Sequence, residues 1–176
     1  MAQLSLPINY NWLGVYIDGD EIEAIDGKAT LPAINRKRIT KQLPGGETEY
    51  NGKRYEAFSG SISVMMPTSD AIIASLQSNK TSKLSIQAAF QEDNLATGGL
   101  DDHTIIFDMD VHFFGMDESS PEPDAEAEIP MAYNAKSIKI SIDGAVIVDI
   151  DIRTGKDIIN NVDLAKYMRL SAGLLQ

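Results

Sequence analysis

Apolar and polar residues alternate with a period of two over much of this 176-residue chain. From Lys83 to Gln91, Leu84, Ile86, Ala88 and Phe90 share one face, and Lys83, Ser85, Gln87 and Gln91 share the other. From Ile105 to Phe113 every odd position is apolar, while Asp108, Asp110 and His112 fall between. From Phe58 to Met66, Phe58, Ile62, Val64 and Met66 oppose Ser59, Ser61 and Ser63. Successive strand side chains point to opposite faces, so each run predicts a strand with one face on a core and one in water.

The clearest hairpin is "KISIDGAVIVDI", where Ile138, Ile140 and Ile142 precede Asp143-Gly144, and Val146, Val148, Ile150 and Ile152 follow it. Asp-Gly suits a two-residue turn because both positions need positive φ, which Gly takes freely and Asp tolerates. "VYIDGDEIEAI" predicts a second hairpin around Gly19. "KQLPGGETEYNGK", Lys41 to Lys53, has turn signals at Pro44-Gly45-Gly46 and Asn51-Gly52 and little to bury beyond Leu43 and Tyr50, so it predicts an exposed hairpin arm. Such an arm is costly to order alone and is expected to be mobile in a free subunit.

Helices are few. "PTSDAIIASLQS" after Pro67 offers Thr68, Ser69 or Asp70 as caps, and "NNVDLAKYMRLSAG" offers Asn161 or Asp163 with Gly173 as terminator. Residues 117–130 form an acidic, Pro-rich stretch that predicts a mobile loop. The expected architecture is one mostly-β domain over residues 1–176, a barrel or sandwich of about seven strands with one or two short helices.

Composition narrows the function. The chain has no Cys, which removes disulfides and thiolate metal sites. No apolar run approaches the ~20 residues that span a bilayer, and the first twelve residues lack a secretory pattern. A net charge of −11 disfavours a protein that clamps phosphate backbones. The charge is uneven. Gly27 to Gly46 holds five cations and no acid, and Asp117 to Glu128 holds six acids and no cation.

Asp108 and Asp110, with His112, and Asp149 and Asp151 have the Asp-x-Asp spacing of carboxylates that can share a divalent metal. A metal-dependent hydrolase is therefore one reading. The plainer reading is that alternating strands need polar outer faces, and no nucleophile or base accompanies these residues. The serines of "SGSISV" lack a nucleophile elbow, and "ATGGLDD" is no phosphate loop. A carbohydrate- or receptor-binding sandwich is a third reading, set against a single Trp and 7% aromatics.

Two blocks carry a family resemblance. "VYIDGDEIEAIDGKATLPAINRK", Val15 to Lys37, resembles the opening of the major tail tube proteins of contractile-tailed phages and related phage-tail-like bacteriocins, with a short hairpin, a Thr-Leu-Pro segment and basic residues. "ISIDGAVIVDIDIRTGKDIINNVDLAKYMRLSAGLL", Ile140 to Leu175, resembles the family's end, with an Asp-Gly hairpin, an acidic strand, a turn and a short basic helix. Asn161 stands where that turn usually has Gly, and Asn is the next best residue for a left-handed position. The resemblance implies a tail tube fold without enzymatic activity or cofactor. It also implies hexameric rings stacked into a tube within a contractile sheath, with baseplate and tail terminator proteins at its ends. DNA passes through the lumen without sequence-specific binding, and no stable membrane contact is implied. The subunit is expected in the virion tail, made in the host cytoplasm.

On that reading Asp108, Asp110, Asp149 and Asp151 are candidates for the lumen face, where acidic residues would repel DNA. Candidate inter-subunit residues are Arg36, Lys37, Arg38, Leu43, Pro44 and Tyr50 around the arm, and Glu122, Asp124 and Glu126 in the acidic loop. Opposite charge across subunits is expected to steer assembly.

Overall fold

The computed structural model describes residues 7–22, 24–65, 80–94, 99–116 and 128–171. Within them lie twelve strands and one short helix. In chain order the strands are β1 (Pro7–Ile17), β2 (Asp20–Ile22), β3 (Ala24–Thr30), β4 (Arg36–Leu43), β5 (Gly46–Tyr55), β6 (Phe58–Met65), β7 (Ser82–Asn94), β8 (Gly99–Met116), β9 (Glu128–Ile142), β10 (Ala145–Asp151), β11 (Lys156–Ile159) and β12 (Val162–Asp163). The helix α1 spans Lys166–Ser171.

Ten strands form one antiparallel sheet in the order β12-β11-β10-β9-β8-β7-β1-β2, with β6 pairing to both β9 and β3. The long β9 makes this branching possible. Its residues 128–135 pair with β6, and residues 137–142 pair with β10, while β8 runs along its other edge. The sheet curls so that its apolar face encloses the core. β2 pairs with β1 and β3 with β6, but among the described residues no ladder joins β3 to β1. The mostly-β expectation is met; among the described residues the sheet does not close into a barrel.

The core is the set of alternating apolar positions. Val15 and Ile17 from β1, Phe58 and Ile62 from β6, Leu84 and Ile86 from β7, Met109 and Val111 from β8, Met131, Tyr133 and Ile138 from β9, and Ile150 from β10 are all buried. Full burial of such an aliphatic or aromatic side chain contributes about 1.5–3 kcal/mol. A bulge between Asp110 and Val111 keeps β8 in phase with β9 on both sides of Lys136.

The turns follow the residue chemistry. Asp18-Gly19 and Asp143-Gly144 have positive φ at both positions, as does Asn160-Asn161 between β11 and β12. Asn161 therefore occupies the left-handed conformation expected of it, at φ 63°. Asp163 Oδ1 accepts from Ala165 N at 3.1 Å just before α1.

Several expectations change. The strand count exceeds seven because the short or weakly patterned strands β3, β11 and β12 are not separable in the sequence, while β2 is the second strand of the hairpin expected around Gly19. The last residues of the acidic loop, 128–130, already belong to β9. Ile152 does not continue the buried face of β10; it lies in the turn after Asp151 and is 50% exposed. Asn51-Gly52 is not a turn but part of β5, and the arm extends back to Arg36 and on to Tyr55. The helix expected after Pro67, the bulk of the acidic loop and Gly173 lie outside the described residues.

Candidate functional site

The four aspartates singled out by spacing come together on one face of the main sheet, opposite the core. In one row across the strands, Tyr16, Ser85, Asp108, Lys139 and Asp149 are successive register partners on β1, β7, β8, β9 and β10. In the next row Lys83, Asp110, Ser137, Asp151 and Lys156 follow from β7 to β11. Together with Arg153 these side chains line a shallow groove of about 700 Å³.

The face is charge-alternating. Arg153 donates from Nη2 to Asp110 Oδ2 at 2.5 Å and from Nε to Asp151 Oδ1 at 3.2 Å. Its backbone N also donates to Asp151 Oδ1, at 2.8 Å. Lys156 Nζ donates to Asp149, and Ser85 Oγ donates to Asp108 Oδ1 at 2.8 Å. Lys139 stands in register between Asp108 and Asp149. Burial pushes the Asp151 carboxyl up, but hydrogen bonds and attraction from Arg153 win, and its pKa is held below the usual carboxylate value. Four aspartates are thus matched by Lys83, Lys139, Arg153 and Lys156.

This arrangement bears on the metal reading. A shared divalent ion needs converging, uncompensated oxygens, whereas cations already occupy the space between these carboxylates. Among the described residues no group of three or more His, Asp or Glu is gathered as a metal cluster. His112 points its Nδ1 to within 3.3 Å of the Lys80 carbonyl, and His103 Nδ1 lies 2.6 Å from Asp143 Oδ2 at the β9–β10 turn.

The second feature is the arm. β4 and β5 pair with each other as a separate two-stranded sheet. Every residue of β4 after Arg36 is exposed, and in β5 Gly52 alone is buried. At about 3.4 Å per residue the ribbon runs roughly 24 Å from its root. Gly52 is needed because a Cβ there would lie 2.5 Å from the Lys37 carbonyl oxygen.

Register gives the ribbon two unlike faces. Ile39 opposes Tyr50, Lys41 opposes Thr48 and Leu43 opposes Gly46 on one side. Ile39, Leu43 and Tyr50 are 58%, 45% and 53% exposed. The other side carries Arg38, Gln42, Glu47 and Glu49, which satisfy one another: Arg38 Nη1 donates to Glu49 at 2.9 Å, and Gln42 Nε2 donates to Glu47. An apolar stripe left open on a ribbon without a core is unusual for a lone subunit.

Of the expected inter-subunit residues, Lys37, Arg38, Leu43, Pro44 and Tyr50 are exposed on this ribbon. Arg36 is not: it is bound within the chain to Tyr55 and Asp157. Glu122, Asp124 and Glu126 lie outside the described residues. Sequence reasoning missed Lys156 and Asp157, and put Arg153 on the face of Asp149 and Asp151 without giving it a role. Asp157 meets Arg36, 121 residues away, whereas the Arg153–Asp151 and Lys156–Asp149 pairs are local, and the signal available for them was the basic spacing within "DIRTGKD" itself.

With this geometry in place, comparison with known proteins is decisive on one point. Residues 11–173 match the family described as phage tail tube protein FII. The chain belongs to that family. Tail tube proteins are structural components, so the aspartate-bearing face is not an enzyme's active site. Among curated proteins none matches the chain.

Solved structures agree on the fold. The PVC sheath/tube terminator of an extracellular contractile injection system, in the extended state, is similar with a TM-score of 0.54 and 14% identity over 77% of this chain and 97% of that one. The PVC sheath-tube complex gives a TM-score of 0.53 and 13% identity over 80% and 93%. The anti-feeding prophage tube terminating cap gives 0.53 and 15% over 77% and 91%.

Proposed function

We propose that this tail tube protein is the repeating subunit of the inner tube of a contractile tail, forming hexameric rings that stack within a sheath. The charge-alternating face of β7 to β11 lines the lumen through which DNA leaves during ejection. Sheath, baseplate and tail terminator proteins are its partners, and the virion tail is its site after synthesis in the host cytoplasm. The observation that carries this reading is the family match across residues 11–173.

The geometry supports it in two ways. A channel wall for a polyanion has to be wet, free of deep pockets and without excess positive charge, because unpaired cations would hold phosphates. Asp110, Asp149 and Asp151 pair with Arg153 and Lys156, and Lys83 and Lys139 balance the rest of the face in number, so the wall offers DNA neither strong repulsion nor adhesion. The arm offers a second support. Residues 36–55 carry six of the fifteen cations and two of the twenty-six acids, so the ribbon is +4 and the remaining chain −15. A basic ribbon with an apolar stripe at Ile39, Leu43 and Tyr50 is complementary to the acidic body of another copy, with Lys37 and Arg38 steering the approach. Such a head-to-tail contact repeats indefinitely when it does not close.

Electron microscopy of the purified protein tests the proposal. Six-fold rings or tubes with a central channel are expected. Monomers at every concentration up to the solubility limit, or assemblies of another symmetry, would overturn it.

A further inference from the structure

The two ends of the arm meet a buried acid on the far edge of the sheet. Arg36 opens β4, Tyr55 closes β5, and the two are register partners. Arg36 Nη2 donates to Asp157 Oδ2 at 2.6 Å and to the Tyr55 hydroxyl at 2.8 Å. The Tyr55 hydroxyl in turn donates to Asp157 Oδ1 at 2.8 Å. Both carboxylate oxygens of Asp157 are therefore taken by the arm's root. The Asp157 side chain is 6% exposed and that of Arg36 23%.

The surroundings stiffen this cluster. The Arg36 guanidinium carbon lies 4.6 Å from the Tyr55 ring centroid, and the Tyr55 ring packs 5.4 Å from that of the buried Phe58. Below it, Glu56 N donates to the Asn35 carbonyl at 2.9 Å and closes the backbone of the root. Asp157 itself is pinned in β11 by pairing with Ile150, and its carbonyl accepts from Leu164 N at 2.8 Å. The arm has no other described anchor to the body of comparable kind.

We propose that Asp157 is a positioning residue, and that the Arg36–Tyr55–Asp157 cluster fixes the direction of the arm in the free subunit. The sequence suggested an arm that gains order only on a neighbour. With the clamp, the ribbon is a preformed docking element, and association no longer bears the cost of choosing its orientation. A ribbon joined to the body through residues 35 and 56 alone would swivel as a rigid unit. The inference concerns the isolated subunit and goes beyond the tube reading, which it uses only for the consequence on assembly.

The chain has no cysteine, so two can be introduced for spin labels without background. Gly45→Cys at the arm tip, where a Cβ meets nothing within 4 Å, and Glu21→Cys on exposed β2 report the arm-to-body distance. In the dilute, unassembled full-length chain the distance distribution should be narrow. Asp157→Asn should broaden it at least twofold, Tyr55→Phe by less, and Arg36→Lys should fall between because it keeps the charge without the planar guanidinium over the Tyr55 ring. Melting by circular dichroism confirms that each variant is folded, and if Asp157→Asn is not, Tyr55→Phe and Arg36→Lys carry the test. Equal widths in the starting chain and the folded variants would overturn the clamp. In assembly assays the variants should show a longer lag with the same final tube. If the chain never forms tubes, the tube reading fails while the distance measurement still decides the clamp.

Discussion

Gly60 lies where β6 passes beneath a buried ring. A Cβ at that position would sit 2.5 Å from both the Thr30 carbonyl oxygen and the Tyr133 hydroxyl. Those two atoms are themselves hydrogen-bonded at 3.2 Å, with Tyr133 donating. Neither the backbone nor a fully enclosed ring can withdraw cheaply, so Gly60→Ala should cost about 1–3 kcal/mol of unfolding free energy in urea titrations, the usual range for overpacking. An unchanged midpoint would show that the layer is looser than its contacts imply. Tyr55 makes a different single-residue prediction. Burial, then its hydrogen bond to Asp157 and that carboxylate's charge, push the phenol up to about 12, against a smaller opposing pull from Arg36. Because the folded value exceeds the ordinary 10.0, the contribution is fully present below pH 10 and is lost as pH rises towards about 12. Burial pushes Tyr133 up as well, so it adds to the same alkaline loss. Tyr55→Phe should therefore show a shallower fall in stability across this window than the unmodified chain. Parallel curves would mean that the hydroxyl is not engaged in solution.

At the level of elements, the arm should be separable from the fold. Every residue from Lys37 to Leu43 is exposed, and the body's core draws nothing from β4. Replacing Gln42 to Gly52 by a short Gly-Ser turn should keep a β-rich circular dichroism spectrum and cooperative melting. Under the microscope it should give monomers or isolated rings instead of tubes; normal tubes would show the stripe of Ile39, Leu43 and Tyr50 to be dispensable. This element also marks the limit of pattern reading. Alternation betrays a strand when one face is buried, which is why β6, β7, β8 and the β9–β10 hairpin were legible. In β4 both faces meet solvent, so its alternation carries no hydrophobic signal and only the Pro44-Gly45-Gly46 turn announced it. Gly52 resembled a turn residue because Gly serves two purposes, and its role here is close approach to the Lys37 carbonyl. The Asp-Gly and Asn-Asn turns were legible because their requirement for positive φ is local. Arg36 and Asp157, 121 residues apart, left no such trace.

Across the whole molecule, the sequence indicated that Asp108, Asp110, Asp149 and Asp151 belong to one wet surface, but not its charge. Strand order and register bring Lys83, Lys139 and Lys156 among them from β7, β9 and β11, while Arg153 comes from the turn after β10, two residues beyond Asp151. That balance yields a prediction about how the face meets a polyanion. Asp149→Asn with Asp151→Asn keeps the size of each side chain but leaves Lys156 without its carboxylate partner and Arg153 with Asp110 alone. Partly exposed ion pairs contribute about 0–1 kcal/mol each, so the double variant should fold and assemble. On the proposed tube, this face would then carry a net excess of two positive charges per subunit, four cations against Asp108 and Asp110, repeated around the ring. Polyanion affinity rises with each phosphate neutralised and falls steeply with salt. Tubes of the double variant should therefore retain double-stranded DNA in filter binding at low ionic strength and release it as salt rises, while tubes of the original sequence should retain little under either condition. Equal retention by both would mean that this face does not meet DNA, and the lumen would have to be assigned to another surface of the sheet.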